Sequence, residues 1–155
     1  MRTSLRLLTV GLVLSLALPA WAGPPVTETT TLKGVTETIV DTPFCEPGAT
    51  HEITLTYNLV EHATLFDDGD DGRAHFTFTQ TGTFVADPLD SSEQSASGHF
   101  TIWGGFNDNG KTVNGTFTFN ANGSFEDGTK ISVHAVEHFN VRPDGTEFFF
   151  SRCKD

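Results

Sequence analysis

The chain has 155 residues and a formal net charge of −11, with fourteen phenylalanines, six histidines and two cysteines. An acidic balance of this size argues against nucleic acid or an anionic membrane surface as a partner, since both attract positive patches. Solubility outside a cell, and cationic partners or ions, suit it better.

The first residues read as an export signal. Arg2 and Arg6 supply a positive start, Leu7–Leu18 is a short apolar run, Pro19 breaks it, and Ala20-Trp21-Ala22 offers a small-x-small cleavage pattern. The run is shorter than the roughly 20 residues that span a bilayer, and no later segment is apolar enough to do so. The sequence therefore predicts a signal peptide over 1–22 and one secreted domain over 23–155, with no membrane attachment after cleavage. Cys45 and Cys153 both survive cleavage. In an exported chain such a pair predicts a disulfide. It would close a loop of about a hundred residues, worth ~4–5 kcal/mol in the chain-entropy picture.

Strand signals then follow one another. Gly23–Thr31 reads as an extended arm or edge, and Leu32–Asp41 as a first strand. Thr42–Thr50 is a loop carrying Cys45. His51–Phe66 alternates, with Ile53, Leu55, Tyr57 and Leu59 on one face. Asp67–Arg73 is a turn, and its aspartates resemble calcium-loop spacing without the distal glutamate an EF-hand needs. Ala74–Val85 puts Phe76, Phe78 and Phe84 on a face with Gln80 and Gly82. Ala86–Ser97 is a polar connection in which Asp87-Pro88 suits a short helical cap.

The clearest stretch is Gly98–Ala121, two alternating strands around Asn109-Gly110. A two-residue turn there predicts Phe106 opposite Val113, Gly104 opposite Gly115, Ile102 opposite Phe117 and Phe100 opposite Phe119. A bulge at Asn122-Gly123 is expected before an Asp127-Gly128 turn, to keep Phe117 and Phe119 off the polar face of the next strand. Lys130–Val141 alternates cleanly, Pro143-Asp144-Gly145 is a hairpin turn, and Thr146–Cys153 closes the chain. Seven or eight short antiparallel strands without a helical period predict an all-β domain, a meander-type barrel or a sandwich, with one disulfide.

Glu137 stands out, because it shares its strand's otherwise apolar face with Ile131, Val133, Ala135, Phe139 and Val141. A lone buried carboxylate costs several kcal/mol unless it is paired or protonated. Gln80 and Tyr57 occupy equivalent faces of earlier strands. Arg152 would oppose Glu137 across a two-residue Asp144-Gly145 turn, but a three-residue loop would shift it away. Two readings stay open: a polar patch binding a small ligand, and a structural Glu–Arg pair near a barrel end. His134 and His138 are four apart, roughly 13 Å along a strand, too far to share one ion. No metal or other cofactor is expected. Asn114-Gly115-Thr116 and Asn122-Gly123-Ser124 match the glycosylation sequon. There is no nucleophile turn and no phosphate loop.

The run HFTIWGGFNDNG, followed by GTFTFN, DGTKI, VEHFN and PDGTEFFF, resembles a type of small secreted bacterial β-protein. That resemblance covers most of residues 98–155 and implies fold and export, without an activity. In architecture the chain is similar to lipocalin-like and allene-oxide-cyclase-like barrels, although the lipocalin Gly-x-Trp near the first strand is missing. The leading expectation is a secreted binding module, not an enzyme, holding a small apolar ligand in the barrel or a macromolecular partner on its surface. One alternative is a cyclase- or isomerase-type enzyme with Glu137 as acid or base and Tyr57, Gln80 and Arg152 orienting the substrate. A further alternative is an extracellular interaction or inhibitor protein acting through the Trp103–His134–His138 face or the Ala86–Ser97 loop.

Overall fold

The computed structural model describes residues 24–42, 45, 49–66, 72–90 and 92–154. The expected signal segment over 1–22 and the core of the aspartate turn lie outside them. Seven strands follow in chain order: β1 (Val26–Asp41), β2 (His51–Phe66), β3 (Arg73–Pro88), β4 (Ala96–Asp108), β5 (Val113–Phe125), β6 (Lys130–Val141) and β7 (Glu147–Lys154). They form one antiparallel sheet in which every strand pairs with its sequence neighbours. The expected meander is therefore present, but β1 and β7 do not pair, so the sheet is not closed into a barrel.

Parity assigns the two faces. Ile53, Leu55 and Tyr57 of β2, Phe84 and Ala86 of β3, Ala96 and Phe100 of β4, Ala121 of β5 and Ile131 and Val133 of β6 form the buried cluster. The opposite face carries threonine, asparagine and histidine, linked across strands by bonds such as Thr29–His62 (2.8 Å), Thr116–His138 (2.8 Å) and His75–Asn107 (2.6 Å). A single sheet buries one of its faces only by curling over it, and this one does. Ala86 is 0% exposed. Cys45, in the loop after β1, is bonded to Cys153 of β7 with a Cα–Cα distance of 5.3 Å. The staple thus draws the end of β1 toward β7 where no ladder joins the two edges.

Three connections differ from expectation. The β4–β5 loop holds four residues, not two: Asp108 pairs with Val113, Phe106 with Gly115, and Ile102 with Phe119. Asp108 accepts from the Gly110 amide (2.8 Å), and Asn109 accepts from the Lys111 and Thr112 amides. Only Gly110 has a positive φ there, so the turn is not type I′. A two-residue slip leaves both faces intact while changing every pair.

The expected bulge at Asn122-Gly123 is absent, because β5 pairs without interruption on both sides. The odd residue sits in the turn, where Phe125 donates to Thr129 (2.9 Å) around Glu126-Asp127-Gly128 and Gly128 takes φ 87°. Among the described ladders the one register shift lies in β1, between Leu32 and Val35, and β1 begins at Val26, so most of the segment expected as an arm or edge is paired with β2. Asp87 and Pro88 belong to β3 and cap no helix.

Candidate functional site

Glu137 lies on the inward face of β6, opposite Phe117 of β5 and Ser151 of β7. It is 2% exposed, and neither carboxylate oxygen has a hydrogen-bond partner among the described residues. Burial pushes its carboxyl up to about 7; the nearby Ser151 hydroxyl offsets part of that, and the negative charge of Asp41 adds to it. Ser151 is close enough to influence the group without forming a well-directed bond. Asp41 ends β1, so its field at Glu137 is a second sign that the sheet curls until β1 faces β6.

Of the other residues singled out by pattern, Tyr57 is buried on the same face and meets Phe100 edge-on at 6.4 Å. Burial raises its hydroxyl's pKa, and the charge and hydrogen bonding of Glu37 raise it further. Tyr57 is thus engaged by Glu37. Gln80 is also buried, between Leu59 of β2 and Ile102 of β4.

Arg152 is elsewhere. The β6–β7 loop has three residues, Pro143–Gly145, closed by Arg142 donating to Thr146 (2.9 Å), with Gly145 at φ 78°. Arg152 therefore pairs with Val136, and its side chain is on the outward face beside His134 and Lys154, at the rim of a small depression of about 170 Å³. No Glu137–Arg152 pair forms.

Above Glu137 the inward face changes character. Toward the β4–β5 loop end its rings are half-buried, whereas Tyr57, Phe84 and Phe100 lower down are buried and Phe119 and Phe125 are half-buried like those above. Phe117 stacks on Phe139 (5.5 Å between centroids, 13° between planes) and meets Phe78 at 5.5 Å, while Phe76 stacks on Phe106 at 4.4 Å. Phe149 of β7, directly across from Phe139, is 58% exposed. Gly115 sits between these rings, where a Cβ would lie 2.5 Å from the Phe139 ring and 2.8 Å from Phe106. The most deeply buried rings thus lie below Glu137, and the aromatic floor above it is half-buried throughout.

On the outward face a broader depression of about 540 Å³ is lined by Thr56, Asn58, Thr81, Thr83, His99 and Thr101, among others. Trp103, 41% exposed, stands between Thr79 and Thr118 on that face. Its in-register neighbours make it an isolated ring in a polar lawn. His134 and His138 share the face and are held by Asn120 and Thr116. Among the described residues no three His, Cys, Asp or Glu side chains gather as metal ligands.

Asp41 and Ser151 are the two neighbours of Glu137 that pattern reading did not find. The signal was available in the cysteines: Asp41 precedes Cys45 by four residues and Ser151 precedes Cys153 by two, so the expected disulfide implied their approach. No family model matches the sequence, and no curated protein or solved structure matches it significantly.

Proposed function

We propose that the protein is an exported, non-enzymatic binding module whose curled sheet, a barrel left open along the β1–β7 seam, holds a small apolar ligand. The observation that carries this is the half-buried aromatic floor of Phe76, Phe78, Phe106, Phe117 and Phe139, over which the described residues place no second sheet. Apolar surface left open on a sheet's inward side is the usual lining of a small-molecule site. Export is supported by the N-terminal Arg–apolar–small pattern and by the disulfide, which an oxidising compartment would preserve.

The alternative of an acid–base enzyme keeps one favourable feature, a carboxyl brought to about 7. It loses Arg152 to the outer face and Tyr57 to Glu37. Binding is the better-supported reading.

The test is native mass spectrometry of the protein purified from its own host, beside a denatured, non-reduced sample. The denatured mass is expected to report cleavage after Ala22 and the two-hydrogen loss of the disulfide. The native spectrum is expected to carry a discrete additional mass. A native mass equal to the denatured one, together with no uptake of an added apolar probe such as 1-octanol, would sink the ligand reading and turn attention to a macromolecular partner on the outer face.

A further inference from the structure

The charges of the inward face are all of one sign. On the strand positions that share parity with the core, β1 places Glu28, β2 Glu61, β4 Asp108, β6 Glu137 and β7 Glu147 around the aromatic floor. Glu37 and Asp41 lie lower on β1, and His51 stands at the far end. No arginine or lysine occupies an inward strand position. Arg73, Lys130, Arg152 and Lys154 alternate outward, Lys111 and Arg142 are in turns, and Lys33 is exposed at the β1 irregularity.

All four strand bases lie on the outward face, so no positive side chain on a strand offsets the inward acids. The asymmetry has an energetic cost, since like charges on one concave surface repel and Glu137 is buried with neither oxygen hydrogen-bonded among the described residues. A cation placed on that surface would relieve both. The rings next to Glu137 supply the second half of the recognition, because the faces of Phe117 and Phe139 attract a cation while their bodies accept hydrocarbon.

Resting on the apolar-ligand reading above, we propose that the ligand is an organic ammonium ion with an apolar body. Its positive group is held by Glu137 against Phe117 and Phe139, and its hydrocarbon part lies along Phe76, Phe78 and Phe106. The rim acids draw the cation in. Reaching Glu137 requires the half-buried Phe117 and Phe139 rings to turn aside, as Glu137's oxygens are shielded in the empty protein.

The experiment is isothermal titration calorimetry of the full secreted chain at pH 7 with three probes of equal chain length: n-octylamine, 1-octanol and octanoate. The expected result is that octylamine binds at least tenfold more tightly than octanol, with octanoate weakest. In Glu137→Gln the amine's advantage over the alcohol should collapse to a few-fold, while octanol binding holds. Because the carboxyl titrates near 7 when empty and ionises against the ammonium, amine binding should release a fraction of a proton, seen as a heat that varies with the buffer's ionisation enthalpy. Glu61→Gln gives a second variant, expected to lower amine affinity about two- to threefold. Equal affinity for amine and alcohol in the wild type overturns the cation proposal and leaves the apolar site standing. An amine preference undiminished in both variants overturns the assignment to this face. Binding of none of the three overturns the site itself.

Discussion

Glu137 faces Ser151 across the β6–β7 ladder, and Arg152, one residue further on, lies against Val136 on the other side of the sheet. A single residue in the Pro143–Gly145 loop decides this. With two residues in the turn the buried carboxylate would have had a guanidinium opposite it; with three it has a hydroxyl and remains uncompensated. The acid is thus a burden on the empty fold, and its presence calls for an explanation outside stability.

That burden has a pH signature. Below about pH 4.5 the carboxyl is protonated in folded and unfolded chains alike and costs nothing. As pH rises from there to about 7, the unfolded chain ionises while the folded one still holds its proton, so stability falls. Above 7 the penalty levels off at about 3 kcal/mol. Glu137→Gln should therefore raise the melting temperature at pH 8 by ~5–10 °C and leave it nearly unchanged at pH 4. A calorimetric scan across this range checks it, and equal destabilisation at both pH values would mean that the carboxylate has a compensating partner.

Arg152→Gln is the matching control. The side chain is exposed and outward, so the substitution should change stability by no more than ~0.5 kcal/mol. The pH dependence assigned to Glu137 should persist in it. Urea midpoints at pH 5 and pH 8 measure both quantities, and loss of the pH dependence would place the guanidinium within reach of the carboxylate after all.

Removing the staple should be costly in a chain whose sheet edges are otherwise unjoined. The double variant Cys45→Ser/Cys153→Ser is expected to lose ~2–4 kcal/mol. Wild-type protein unfolded in reductant should show the same shift, and the variant should not respond to reductant. If the double variant keeps the wild-type urea midpoint, the bond contributes nothing to holding the curl.

Two glycines on the inward face test how tightly it is packed. At Gly82 an added Cβ would lie 2.1 Å from the Thr56 carbonyl oxygen and 2.7 Å from the Tyr57 Cα, both backbone atoms that cannot swing aside. At Gly115 the nearest atom belongs to the Phe139 ring (2.5 Å), which can turn, and only the Phe106 Cβ at 2.8 Å is held by backbone. Gly82→Ala should thus cost ~3 kcal/mol or more and Gly115→Ala less, nearer ~2 kcal/mol, with the second also perturbing amine or octanol binding. The reverse order would show that the ring above Gly115 is as fixed as the backbone beside Gly82.

Most of this arrangement was legible from alternation. The inward positions of Tyr57, Gln80, Phe117 and Glu137 follow from a period of two, which survives any even slip of register. The individual pairs were not legible, because they depend on loop length. Asn109 joins a four-residue loop by accepting from two amides within it, while Gly128 and Gly145 each close three-residue loops. Composition cannot separate these cases, since Asn-Gly and Asp-Gly suit more than one turn. The one-sided distribution of charge emerges only when all seven strands are placed together, for it belongs to no single strand.

The disulfide also bears on how the molecule is made. Every strand pairs with its neighbour in sequence, so hairpins can form one after another as the chain is made. Cys45 must nevertheless stay reduced until Cys153 has been made, 108 residues later. A premature partner from another chain would trap it in a mixed dimer. The order of synthesis thus makes the nascent protein dependent on an oxidant that acts late, and its yield should rise when oxidation is slowed until the whole chain is made.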